Sequence, residues 1–139
     1  MHSTTLCPDS DKHFEPKEPL ILIVDNDWDN LLLASCIIES VGINSLVADS
    51  GEECLNLVFK LLPNLILLDI VMPNINGLEI IKIIKQNKTT AHIPIIAVTG
   101  LTRVEDRNKI IAAGCDDYLV KPYLIGELEA KILNFCHSS

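Results

Sequence analysis

A doubly wound α/β sandwich, (βα)5, is the fold this sequence predicts, and three observations carry that expectation. Short, almost wholly apolar runs occur at Leu20 to Val24, Asn64 to Leu68 and Pro94 to Val98, as in parallel strands covered on both faces. Segments with helical spacing of apolar residues lie between them. The connections are short and no internal repeat breaks the alternation, which favours one five-stranded parallel sheet of order 2-1-3-4-5.

The first strand is Leu20-Ile21-Leu22-Ile23-Val24. The helix after it carries Leu31, Ala34, Ile38 and Val41 on one stripe and ends at Gly42. Ile43 to Ala48 supplies the second strand. Ser50 is placed to cap a second helix with the stripe Cys54, Leu55, Val58 and Leu62, and Pro63 marks its exit into the third strand. A third helix, Gly77 to Asn87, is expected to bury Leu78, Ile81 and Ile84 while Lys82 and Lys85 point outward. Beyond the fourth strand, the segment Thr102 to Ala113 is polar through Arg103, Glu105, Asp106, Arg107, Asn108 and Lys109, with its apolar weight at Ile110 and Ile111. Such weak anchoring makes this fourth helix a candidate moving part. The fifth strand centres on Tyr118-Leu119-Val120, and the last helix spaces Leu124, Leu128 and Ile132 four residues apart.

The 139 residues suit one domain. Residues 1–19 read as a disordered tail and 20–139 as the folded unit; Met1 to Pro19 lacks the basic start and apolar stretch of a secretory signal. No apolar run approaches the roughly eighteen residues of a membrane span, so no membrane association is expected. The net charge of −8 argues against a nucleic-acid surface, which needs a concentrated basic patch. Cys7, Cys36, Cys54, Cys115 and Cys136 are odd in number and scattered, which fits a reducing cytoplasm and small buried apolar residues better than metal or redox chemistry. His2, His13, His92 and His137 form no ligand-spaced cluster and are expected at the surface or in the tails.

The chemistry gathers at the strand ends. Asp25 follows Val24, Asp69 follows Leu68, Thr99 follows Val98 and Lys121 follows Val120. Each alone has an ordinary structural reading: a helix cap for Asp25, Asn26 or Asp27, a turn residue for Asp69, a backbone-satisfying hydroxyl for Thr99, a solvated charge for Lys121. In the expected order, however, these strands are neighbours about 4.8 Å apart, and ligands of such sheets bind beyond the carboxyl ends of the strands. Two carboxylates roughly 5 Å apart repel by about 3 kcal/mol at an effective dielectric near 20, which a cation relieves. An oxygen-only donor set without nearby histidine or cysteine suits Mg²⁺. The arrangement supports attack by an ionised carboxylate on phosphorus, with Lys121 and Mg²⁺ stabilising the transferring oxygens and Thr99 donating to the attached phosphoryl group.

Four segments carry a joint resemblance: Ile23-Val24-Asp25-Asn26-Asp27; Leu68-Asp69-Ile70-Val71-Met72-Pro73 with Gly77 and Glu79; Ala97-Val98-Thr99-Gly100; and Ala113-Gly114-Cys115-Asp116-Asp117-Tyr118-Leu119-Val120-Lys121-Pro122. Over Leu20 to Cys136 the sequence resembles the flavodoxin-like receiver domain of two-component response regulators. The resemblance implies that Asp69 is the phosphoacceptor, that Asp25, Asn26, Asp69 and the Val71 carbonyl surround Mg²⁺, and that Lys121 binds the phosphoryl group. It implies that Thr99 and Tyr118 act as switch residues for the face formed by the fourth helix, fifth strand and fifth helix, and that Lys121-Pro122 is cis. A histidine kinase or histidine phosphotransfer protein would supply the phosphoryl group, and a downstream protein would read the switched face. The chain would then be a signalling protein, monomer or weak dimer, supporting only its own phosphorylation and dephosphorylation. The last expected helix runs almost to Ser139, which suggests a stand-alone receiver.

Asn26 departs from the pattern, since the family has a second acid there, and weaker Mg²⁺ binding is the expectation. A receiver-like module that docks partners without being phosphorylated is the rival reading. Val71 and Leu101, two residues beyond Asp69 and Thr99, are apolar and suggest slow self-hydrolysis, and Trp28 is expected to open the first helix beside the pocket. A flavin or dinucleotide enzyme lacks support, because no glycine-rich cradle follows the first strand.

Overall fold

The computed structural model describes residues 18–72, 75–100 and 103–136. The expected tail lies outside them but for Glu18 and Pro19, as do Cys7, His2, His13, His137, Leu101 and Thr102. The strands are β1 (Leu20–Val24), β2 (Asn44–Ala48), β3 (Leu65–Asp69), β4 (Val71–Met72), β5 (Ile75–Asn76), β6 (Ile95–Thr99) and β7 (Asp117–Val120). The helices are α1 (Trp28–Ser40), α2 (Gly51–Leu61), α3 (Gly77–Gln86), α4 (Val104–Ala113) and α5 (Ile125–Cys136). The main sheet runs β2-β1-β3-β6-β7, all parallel, which is the predicted order; β4 and β5 form a small antiparallel ribbon.

Alternation along each strand divides the core into two layers. Leu22, Val24, Ile66, Leu68, Ile95 and Ala97 face α2, α3 and α4. Ile21, Ile23, Leu65, Leu67, Ile96 and Val98 face α1 and α5. Each inner strand is thus apolar up to its carboxyl end because both of its faces are covered. Only the residue that ends the strand escapes the layers, and there the sequence turns polar.

The helices begin and end for local reasons. Asp27 caps α1, accepting from the Asp29 N–H at 2.9 Å. Ser50 caps α2 as expected, accepting from the Glu53 N–H. Gly42, at φ +85°, carries the chain out of α1 in a conformation that a side chain would strain. By contrast Arg103, at the N-cap of α4, makes no side-chain capping bond, and α4 buries only Ile110 and Ala113. Its loose attachment agrees with the sequence reading.

Two expectations about side-chain direction are corrected, at Leu62 and Lys85, and two further apolar residues, Ile111 and Leu124, prove exposed. Leu62 lies past the end of α2 in a left-handed conformation, φ 49°, and is exposed; Leu57 takes the buried place. Lys85 folds inward, its Nζ 2.8 Å from Asp116 Oδ2 and donating to the carbonyls of Ala91 and Ile93. Ile111 is more than half exposed, since one turn of α4 cannot turn both Ile110 and Ile111 to the sheet. Leu124 precedes α5 and is exposed; its N–H donates to Glu127 Oε1, the glutamate half of a capping box.

Candidate functional site

Parallel pairing brings the polar strand ends to one edge of the sheet. Asp25 continues β1: its N–H donates to the Ala48 carbonyl at 3.1 Å, and its Oδ1 accepts from the Asp27 N–H at 2.9 Å. Asp69 ends β3 beside Val98 of β6, and its Oδ1 accepts from the Val71 N–H at 3.2 Å. Lys121 leaves β7 with its N–H donating to the Thr99 carbonyl at 2.8 Å. From there its Nζ reaches back and donates to Asp25 Oδ2 and to Asp69 Oδ2, both at 3.2 Å. The Lys121-Pro122 bond is cis, as expected. Thr99, at the end of β6, is fully buried.

Two buried carboxylates therefore share one ammonium, leaving a net negative charge in a poorly solvated place. Burial, then repulsion from Asp25, raises the Asp69 pKa, while the Lys121 charge and hydrogen bond and the Val71 N–H pull it back. Burial works against the charged form of Lys121, but Asp69 and Asp25 together outweigh it, and its pKa is raised. Lys121 is thus held cationic. The loop after Asp69 is fixed by α3: a Cβ on Gly77 would sit 2.8 Å from both the Ile70 Cα and carbonyl oxygen, so only glycine admits this approach.

Residues 21–133 match the response regulator receiver domain. This chain belongs to that family. It is 37% identical over 102 residues to the polar-differentiation response regulator DivK of Brucella ovis, covering 73% of this chain and 83% of the relative. A putative response regulator from Chloroflexus aurantiacus superposes with a TM-score of 0.80 at 30% identity, over 86% of this chain and 98% of the other. The chemotaxis protein CheY4 of Vibrio cholerae, at 24% identity and the same TM-score, covering 85% of this chain and 98% of the other, shares the fold.

Within the receiver, the structure brings Asp25, Asp69 and Lys121 into direct contact and sets Thr99 on the adjoining strand end. Asn26 stands in the bend between Asp25 and α1, exposed to solvent, and does not line the slot between the two acids and Lys121. Asp27 is occupied as a cap. Trp28 opens α1, half exposed. Val71 is exposed on β4. Tyr118 lies away from the acids, half-buried, with its hydroxyl accepting from Arg107 Nη1 at 3.0 Å and the guanidinium carbon 5.9 Å from its ring centre.

The donor chemistry fits Mg²⁺: two carboxylates and a backbone carbonyl at Val71 are hard oxygen ligands, and water completes such a shell. Only two acids meet here, and among the described residues no group of three or more His, Cys, Asp or Glu side chains gathers as a metal site. Two lining residues escaped sequence reasoning, Asn30 on the first turn of α1 and Tyr123 two residues past Lys121.

Proposed function

We propose that Asp69 accepts a phosphoryl group from a histidine kinase or histidine phosphotransfer protein and that this event switches a protein-contact surface. The observation that carries the reading is the pair of buried acids, Asp25 and Asp69, bridged by one Lys121 ammonium. An Asp69 oxygen attacks phosphorus, the O–P bond forms, and the bond to the donor breaks with its electron pair departing on the donor. Lys121, kept protonated, offsets the charge on the transferring oxygens, so catalysis is positioning and charge stabilisation. Asp25, Asp69, the Val71 carbonyl and, weakly, Asn26 would hold Mg²⁺, which would supply further neutralisation of phosphate oxygens.

Thr99 then donates to the attached phosphoryl group, and Tyr118 changes rotamer on the face made by α4, β7 and α5, where a downstream protein binds. The protein acts on itself alone, as a cytoplasmic signalling component, monomer or weak dimer, rather than as an enzyme with turnover. Among the described residues no helix is long and apolar enough to cross a membrane.

The test is incubation with a small phosphodonor and Mg²⁺ followed by intact-mass measurement. A gain of one phosphoryl group, abolished in Asp69→Ala, is expected. Exposure of Asn26 favours one second reading, a docking module that is not phosphorylated; absence of any Asp69-dependent gain would establish it.

A further inference from the structure

Tyr118 and Thr99 lie on the same face of the sheet. Ala97 of β6 pairs with Tyr118 of β7, and Thr99 stands two residues beyond Ala97, so the pleat turns all three side chains toward the layer that holds Ile110 and Ala113 of α4. Thr99 is fully buried there, whereas Tyr118 is half-buried and packs against the edge of the layer. Arg107 reaches this ring from α4. Its Nη1 donates to the Tyr118 hydroxyl at 3.0 Å and its guanidinium carbon lies 5.9 Å from the ring centre, so one side chain holds both the polar tip and the ring. Arg103, one turn earlier, is turned instead to Asp106 of its own helix at 3.1 Å. The helix that carries both arginines has no side-chain cap and buries only two residues. A contact between α4 and β7 therefore weighs heavily in how that helix sits.

We propose that Arg107 is a positioning residue for Tyr118: it holds the ring outward against α4 in the resting receiver, and capture of a phosphoryl group breaks this contact. The inference rests on Asp69 being the acceptor and on Tyr118 changing rotamer when Asp69 is occupied. Thr99 and Tyr118 are diagonal neighbours on one sheet face, so movement of the threonine toward Asp69 opens space on the side of the ring away from Arg107. A side chain that stabilises the resting arrangement alone lowers the affinity of the pocket for a phosphoryl group, because the occupied state forgoes that contact. The coupling is reciprocal, so filling the pocket loosens α4.

The sign separates this role from a structural one. An arginine that merely supported the fold would, on removal, weaken the pocket. An arginine that restrains the switch would, on removal, strengthen it.

The experiment measures binding of beryllofluoride, a mimic of the attached phosphoryl group, by calorimetry at saturating Mg²⁺. The natural chain is compared with Arg107→Ala, Tyr118→Phe and the variant carrying both substitutions. Loss of one such contact corresponds to a gain in affinity of about threefold to fivefold in Arg107→Ala. Tyr118→Phe has already lost the hydroxyl, so adding Arg107→Ala to it should give a smaller gain than in the natural chain. In spectra recorded with Mg²⁺ alone, the Tyr118 ring resonances of Arg107→Ala should be displaced toward their positions in the beryllofluoride-bound natural chain. Unchanged or weaker binding in Arg107→Ala, an equal gain in the Tyr118→Phe background, or ring resonances displaced away from the bound positions would each overturn the assignment while leaving Asp69 as acceptor. A natural chain that does not bind beryllofluoride, or binds it equally well as Asp69→Ala, removes the phosphoacceptor reading, and this inference with it.

Discussion

Asp25 and Asp69 were legible as a pair because each interrupts an apolar run where a parallel strand ends, and strand ends are where covered sheets open to solvent. Asn26 was legible as a missing acid, and the structure adds that it is exposed outside the slot. Asn26→Asp is therefore expected to bind Mg²⁺ more tightly than the natural chain in a calorimetric titration; equal affinities would sink the idea that this amide weakens the site. Gly77 makes a second case at this scale. In Gly77→Ala the new methyl meets the Ile70 backbone at 2.8 Å, one residue from Asp69. Overpacking of this kind costs about 1–3 kcal/mol, so a lower urea midpoint and slower phosphorylation are expected. A variant with both properties unchanged would show that the loop yields freely. Asn30 and Tyr123 were not legible, because nothing in a linear pattern tells which first-turn side chain faces a neighbouring strand end.

Among the elements, α4 is lightly anchored. Its N-cap residue makes no side-chain capping bond, two of its residues are buried, and Val104 and Ile111 are exposed. Arg107 ties it to β7 through the Tyr118 hydroxyl and ring. Such a contact is worth about 1 kcal/mol or less at a partly exposed site. Arg107→Ala is expected to leave the overall stability within that range while α4 amides exchange measurably faster and the Tyr118 ring resonances shift. Unaltered protection across α4 would mean that Ile110 and Ala113 alone hold it. The weak apolar periodicity of this segment was visible in the sequence, whereas the Arg107–Tyr118 contact joins residues eleven apart on two elements and was not. Lys85 failed differently: it lies one turn beyond buried Ile81 on the same flank of α3, where its stem packs beside Gly114 and its ammonium reaches Asp116 and two carbonyls.

At the scale of the whole molecule, two apolar layers lie on one sheet, and Cys54 is fully buried in the layer beneath α2. Burial pushes its thiol up to about 12. At pH 8 its labelling by a thiol reagent should therefore wait on opening of the fold and trail that of the half-buried Cys36; equal rates would mean that the layer opens locally. The sign of the pH effect follows. The unfolded chain loses this proton near the ordinary value of 9.0 and the folded chain only near 12, so folded molecules bind more protons between the two. Stability should fall as pH rises through that window, and less steeply in Cys54→Ala.

Strand positions, sheet order and the four polar strand ends were determined by the sequence itself, because a two-sided parallel sheet demands continuous apolar runs and leaves only their ends for chemistry. Tertiary structure alone decided that one Lys121 ammonium spans both acids, that Asn26 turns to solvent while Asn30 faces the slot, and that Tyr118 is tied to α4. The physical reason is that backbone periodicity sets which face of an element a residue occupies, whereas the reach and partner of a long or polar side chain depend on neighbours distant in the chain.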